Sequence, residues 1–172
     1  MKTQQVQENK MREMQLEKLV LSCGATGTDL EKAQKLLVLL TNRKAQKIAS
    51  TKRIPNFGVR PGLEVGTRVT LRGEPAKQLL KRLLAATNNK LSKKQVSDNH
   101  FSFGIPEYIE ISGIEYQRDI GIRGLNVTVV FVRAGLRVKR KKIKVGKIPS
   151  RQFVTKAEII KYMEDNFGTK FK

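Results

Sequence analysis

Seven consecutive residues, TRVTLRG (67–73), alternate without a break: Val69 and Leu71 are apolar, while Arg68, Thr70 and Arg72 are polar. Successive side chains of a strand point to opposite faces, so this segment asks for a dry face and a wet one. LEKLVLSC (16–23) follows the same rule, with Leu19, Leu21 and Cys23 on one side and Lys18, Val20 and Ser22 on the other. Strands of this kind fit a sheet that is covered on one side only. The cover is legible as helical stripes. In DLEKAQKLLVLLTN the residues Leu30, Ala33, Leu37 and Leu40 recur at helical spacing, with Thr28 or Asp29 expected as the cap and Asn42 as the stop. EPAKQLLKRLLAATNN (74–89) places Ala76, Leu79, Leu80, Leu83 and Leu84 on one stripe, with Pro75 tolerated in the first turn. TKAEIIKYMEDNFG (155–168) reads as a last helix, with Thr155 as its cap and Glu158 three residues later.

LNVTVVFVR (125–133) is the most β-rich stretch of the chain. Further strands are expected at 101–104 and 107–111 and a short one within 43–50, with loops at 50–66 and 112–124. The mixed order of strands and helices predicts an α+β fold: a single mostly antiparallel sheet, helices on one face, and an open face. A flexible N-terminal segment (1–14) is expected to precede one domain (15–172), which includes a basic arm (133–151) and the helix at 155–168.

What the open face meets is suggested by charge. The 172 residues carry a formal net charge of +20, and self-repulsion of that size opposes compaction unless a polyanion neutralises it. Nucleic acid is the first candidate, an anionic membrane the second and an acidic protein the third. The charge is segregated. No Asp or Glu occurs from Lys32 to Leu63 or from Ile120 to Ala157, and the latter stretch contains RAGLRVKRKKIKVGKIPSR (133–151). Between them lies an acidic region with Glu107, Glu110, Glu115 and Asp119. No apolar run approaches the roughly 20 residues of a spanning helix. The first residues lack the apolar core of a secretion signal, and the lone Cys23 and lone His100 can form neither an internal disulfide nor a zinc site. A soluble intracellular protein without metal or cofactor is expected.

Three motifs invite sharper chemistry. GATG (24–27) lacks the Lys-Ser/Thr ending of a phosphate loop and the Gly spacing of a dinucleotide fold, so a tight strand-to-helix connection is the better reading. NHFSFGIPEYIEI (99–111) gathers His100, Glu107 and Glu110, but no nucleophile accompanies them. That segment is read as scaffold, with Phe101 and Phe103 packed on the core and a turn at Gly104, and no enzymatic activity is expected. Its acidic setting makes it the part least suited to RNA. Phe57, isolated in the basic loop, is either a stacking group or a loop anchor.

Collinear segments then add up: NKMREMQLEKLVLSCGATG, NFGVRPGLEVGTRVTLRG, FSFGIPEYIEISGIEYQRDIGIRGLNVTV, and the basic arm followed by VTKAEIIKYMEDNFG. Together they cover most of the chain, which resembles the universal large-subunit ribosomal protein family called L-five in bacteria and L-eleven in eukaryotes. The arm looks like the archaeal and eukaryotic branch, and the N-terminal QENKMRE leans archaeal. The resemblance implies a structural protein that binds 5S rRNA, anchors it in the central protuberance of the cytoplasmic ribosome, and reaches the P-site tRNA through a loop. It implies 5S contacts at Ser22, Arg43, Lys44, Thr70 and Arg72, and a tRNA-facing loop at 51–66 with Lys52, Arg53, Phe57 and Arg60. Other rRNA contacts would fall on Arg133, Arg137, Lys139, Arg140, Lys141, Lys142, Lys144 and Lys147. The implied partners are 5S rRNA, large-subunit rRNA, P-site tRNA and neighbouring central-protuberance proteins, without a membrane. Ser22 and Arg43 stand where many members carry Asn and Gln, and Pro61 stands where a second basic residue is common. The residues alone leave two alternatives: an architectural nucleic-acid-binding protein, or an RNA-processing enzyme outside the ribosome.

Overall fold

The computed structural model describes residues 10–172, so positions 1–9 of the expected flexible segment lie outside the described residues. Lys10–Arg12 form a single 3-10 turn, and the first strand already begins at Met14. In chain order the strands are β1 (Met14–Gly24), β2 (Gln46–Ala49), β3 (Glu64–Leu71), β4 (Lys90–Leu91), β5 (Val96–Ser97), β6 (His100–Ile105), β7 (Leu125–Arg133) and β8 (Lys170–Phe171). The helices are α1 (Thr28–Thr41), α2 (Glu74–Ala86), α3 (Arg137–Arg140) and α4 (Lys156–Phe167). Six strands form one sheet in the order β2-β3-β1-β7-β6-β5, and every neighbouring pair is antiparallel. The α+β architecture expected from the alternating strands is therefore the one observed.

The core lies on one side of this sheet. Leu19, Leu21 and Cys23 of β1 are buried beside Val69 and Leu71 of β3, Val127, Val129 and Phe131 of β7, and Phe101, Phe103 and Ile105 of β6. Above them sit Leu36 and Leu37 of α1, Leu80 and Leu83 of α2, and Ile159 and Met163 of α4, all with no exposed surface. Each such side chain contributes about 1.5–3 kcal/mol on leaving water. Phe101 stacks on Phe103 at 6.0 Å and on Phe131 at 5.9 Å between ring centres, coupling β6 to β7. A bulge between Leu16 and Lys18 shifts the β1–β7 register. At the other end of the fold β4 and β8 pair in parallel, with Leu91 buried in the same core.

Three local expectations need correction. Neither Thr28 nor Asp29 caps α1: Gly27, at φ 60° and ψ −134°, holds that position, and no side chain accepts a bond there. Asp29 lies instead in the first turn, where a carboxylate suits the helix dipole and pairs with Arg123 and Lys32. The strand expected at 107–111 is a 3-10 turn, Tyr108–Glu110. Tyr108 and Ile111 are the buried residues, and a spacing of three places them on the same side of such a turn. The tyrosine hydroxyl accepts from the Gln117 N–H at 2.9 Å, which closes the following loop over it. Finally, β3 starts at Glu64, so the long loop is shorter than 50–66 and is itself folded. Asn42 does end α1 in the left-handed conformation (φ 50°), and Thr155 with Glu158 does form the capping box of α4.

Candidate nucleic-acid interface

The strand registers place the wet side chains in rows across the open face. One row runs Gln46, Arg68, Ser22, Asn126 and Gly104 through β2, β3, β1, β7 and β6. At about 4.8 Å per strand step this row spans roughly 19 Å. A second runs Thr70, Val20, Thr128 and Ser102, and a third begins Lys18, Val130 and His100. Arg68 Nε donates to Gln46 Oε1 at 3.1 Å, which steadies the guanidinium and leaves its other donors outward. Opposite Asn126 the sheet is bare backbone: a Cβ on Gly104 would lie 3.3 Å from Asn126 Oδ1. These rows contain hydroxyls, amides and cations with two valines between them, and neither a carboxylate nor an aromatic ring. Such a surface suits phosphate and ribose contacts more than base stacking.

Ser22 and Thr70 are thus on the face itself. Arg72 directly follows the last residue of β3, and Arg43 and Lys44 precede the edge strand β2; all three are exposed. The structure brings the five positions to one side and rim of the sheet. It also adds residues that sequence reasoning did not single out as contacts: Gln46, Arg68, Asn126, Thr128 and Ser102. Alternation in LNVTVVFVR marks Asn126 and Thr128 as outward, but only the pairing of β7 with β1 sets Asn126 beside Ser22.

Between β2 and β3 the chain projects as a hairpin. Ile54 and Val59 exchange backbone bonds of 2.9 and 3.1 Å, and Pro55–Phe57 form a 3-10 turn closed by Gly58 at φ 62°. Its base is clamped by Ser50 N–H to Leu63 O and Gly62 N–H to Ser50 O, both 2.8 Å. Val59 anchors it in the fold, whereas Phe57 is 77% exposed at the tip and Lys52, Arg53 and Arg60 are exposed along it. Of the two readings open for Phe57, loop anchor and presented ring, the anchor role falls to Val59.

The basic arm folds back on the domain. The Arg133 side chain is only 11% exposed, pairs with Glu158 and donates to Arg151 O at 3.0 Å. Arg140 pairs with Glu17 of β1, Gln152 donates to Ala134 O at 2.8 Å, and Gly146 N–H bonds Val138 O at 3.1 Å. Arg137, Lys139, Lys141, Lys142, Lys144 and Lys147 remain exposed. Arg137, Arg140, Lys141 and Lys142 line an open hollow of about 640 Å³ with Ile143. Burial opposes the charge of Glu158, but the Thr155 N–H and hydroxyl and the Arg133 guanidinium outweigh it and hold the carboxyl below its ordinary range.

NHFSFGIPEYIEI divides in two. His100, Ser102 and Gly104 lie on the outer side of β6, on the same open face as Ser22, while Phe101, Phe103 and Ile105 enter the core. The first half of that segment therefore shares the face expected to meet RNA, which its acidic second half does not. His100 Nδ1 is 3.1 Å from the backbone oxygen of Asp98, and its neighbour across β7 is Val130. Glu107 and Glu110 lie beyond the strand in the turn. Burial pushes the Cys23 thiol up to about 11, with Arg123 acting weakly against it, so the sulfur is a core atom hydrogen-bonded toward Gly124 O. No group of three or more potential metal ligands occurs among the described residues. Nor is any described helix long and apolar enough to cross a membrane.

Comparison with known proteins agrees with this surface. Residues 64–162 match the family model that describes the C-terminus of the ribosomal uL5 (L-five) family. The large ribosomal subunit protein uL5 of Nanoarchaeum equitans is 42% identical over 164 residues, covering 94% of this chain and 97% of that protein. Those of Archaeoglobus fulgidus and Sulfolobus acidocaldarius are each 40% identical, over 91% and 94% of this chain and 89% and 92% of their own lengths. Since identity at this level extends over nearly the whole of each relative, and the family model matches more than half the residues, the chain belongs to the uL5 family, one of ribosomal proteins and not of enzymes.

Proposed function

We propose that the protein is a structural constituent of the large ribosomal subunit in the cytoplasm, and that its open sheet face binds 5S rRNA in the central protuberance. The observation that carries this reading is the acid-free row Gln46, Arg68, Ser22 and Asn126 on an uncovered sheet. Lysine and arginine contacts to phosphates supply most of the affinity, and the hydroxyls and amides of the rows recognise 2′-OH groups and backbone shape. Arg43, Lys44 and Arg72 extend the cationic rim. The hairpin at 51–63 reaches the P-site tRNA with Phe57, Lys52, Arg53 and Arg60, and the arm residues Arg137 to Lys147 neutralise large-subunit rRNA. Neighbouring central-protuberance proteins complete the set of partners.

The test is a titration of labelled 5S rRNA and of a scrambled RNA of equal length in moderate salt. The expected preference for 5S rRNA is about tenfold or more, worth about 1.4 kcal/mol. Equal binding of the scrambled RNA, or of duplex DNA, would overturn the reading in favour of a general architectural protein.

A further inference from the structure

Five lysines far apart in the sequence meet at the end of the helix layer. The parallel pair β4–β8 sets Lys90 directly opposite Lys170 and Leu91 opposite Phe171. Backbone bonds of 2.8 Å (Lys170 N–H to Asn89 O), 2.9 Å (Lys172 N–H to Leu91 O) and 3.0 Å (Lys93 N–H to Lys172 O) hold the segments together. Leu91 and Phe171 pack on the core. Strand alternation then turns Lys90, Lys170 and Lys172 outward, and Lys93 and Lys94 follow in the next 3-10 turn. All five are exposed, and among the described residues none pairs with a carboxylate.

Like charges directly across a strand pair oppose folding. Asn88 and Asn89, which feed β4, are held at φ 53° and 54°, in the left-handed region that few residues adopt willingly. The isolated fold gains nothing from assembling this cluster. A polyanion would. The patch also lies away from the open sheet face: Leu91 and Phe171 point into the core from the side of α2 and α4, so the lysines face outward beyond the helices.

We infer that this lysine patch is a second RNA contact, which holds the phosphate backbone of an RNA segment other than the one on the open face. The inference rests on the ribosomal reading above. The protein then bridges two RNA segments, one on each side of its core. The patch has no exposed aromatic ring and no amide row, so it recognises phosphates without reading bases.

The test uses the full chain with K90Q, K93Q, K94Q, K170Q and K172Q combined, and also the two halves of that set separately. Glutamine keeps the aliphatic stem, and thermal melts check that each variant folds; a half-set variant serves if the combined one does not. The wild type and variants are first saturated with 5S rRNA, then titrated with a large-subunit rRNA transcript. We expect 5S affinity within about twofold of wild type, a loss of about tenfold or more for the second RNA, and a salt-dependence slope lower by roughly 2–4. Unchanged binding of the second RNA would overturn the inference, and so would an equal loss of 5S affinity, which would make the patch part of the 5S site. Absence of 5S preference in the wild type, with the second RNA still lost in the variant, would remove the 5S reading and leave the patch standing.

Discussion

Arg133, the last residue of β7, pairs with Glu158 in the first turn of α4 and so ties the end of the sheet to the final helix. Sequence reading places Arg133 with the RNA-contacting arm. Its guanidinium instead has little exposed surface and an internal partner.

This pair has a pH signature. A carboxyl held below its ordinary range stabilises the fold above its unfolded-state value, and that stability is lost as pH falls through the folded-state value. The melting temperature should therefore drop as pH goes down from the ordinary glutamate value of 4.5. E158Q retains a side chain able to complete the capping box, yet removes the charge facing Arg133. The cost at neutral pH should be about 1 kcal/mol, since Glu158 is partly solvated, and the acid limb of the melting curve against pH should flatten. An unaltered pH profile would show that another carboxylate controls that limb.

Arg68 tests the open face more directly than any position at its rim. R68A should weaken 5S rRNA binding about tenfold and lower the salt-dependence slope by about 1, as expected for one lost phosphate contact. Ser102, two strands away on the same face, offers only a hydroxyl, so S102A should cost less than threefold, or about 0.6 kcal/mol. Equal losses would point to folding damage, which circular dichroism would detect.

The hairpin tip separates stability from recognition. F57A should leave the melting temperature within about 1 °C, because the ring is already in water and surface changes rarely exceed about 0.5 kcal/mol. It should also leave 5S affinity unchanged while reducing protection of the P-site tRNA elbow in reconstituted subunits. A large drop in 5S affinity would assign the tip to the wrong RNA.

Thr67 offers a stabilising change. It is fully buried opposite Cys23, and its hydroxyl has no hydrogen-bond partner. Removing an unpaired buried hydroxyl relieves a desolvation cost of about 1–3 kcal/mol, so T67V should raise the unfolding free energy by about 1 kcal/mol in urea titrations. A loss of stability would mean that a water satisfies that hydroxyl.

The local periodicities of this chain are strong, and they determine a good deal by themselves. The alternation at 67–73 dictates that Val69 and Leu71 are buried and Arg68 is not, whichever strand lies alongside. The leucine stripe of α2 likewise selects all five of its buried residues, because a helix places positions three and four apart on one side. Thr155 and Glu158 announce the start of α4 through bonds that span only three residues. Segments with two possible periods are less decided: 107–111 carries apolar residues that fit a strand, and the burial of Tyr108 under the following loop selects the 3-10 turn. Asn126 beside Ser22, His100 on the RNA-facing side, Arg133 against Glu158 and Lys90 against Lys170 depend on which elements meet. Those contacts join residues up to 104 positions apart for Ser22 and Asn126, and no local pattern records them. The sequence by itself determines which side of each element is dry. The tertiary structure alone decides which wet sides share a surface, because that choice is made by long-range burial of the core and not by the polar residues it leaves outside.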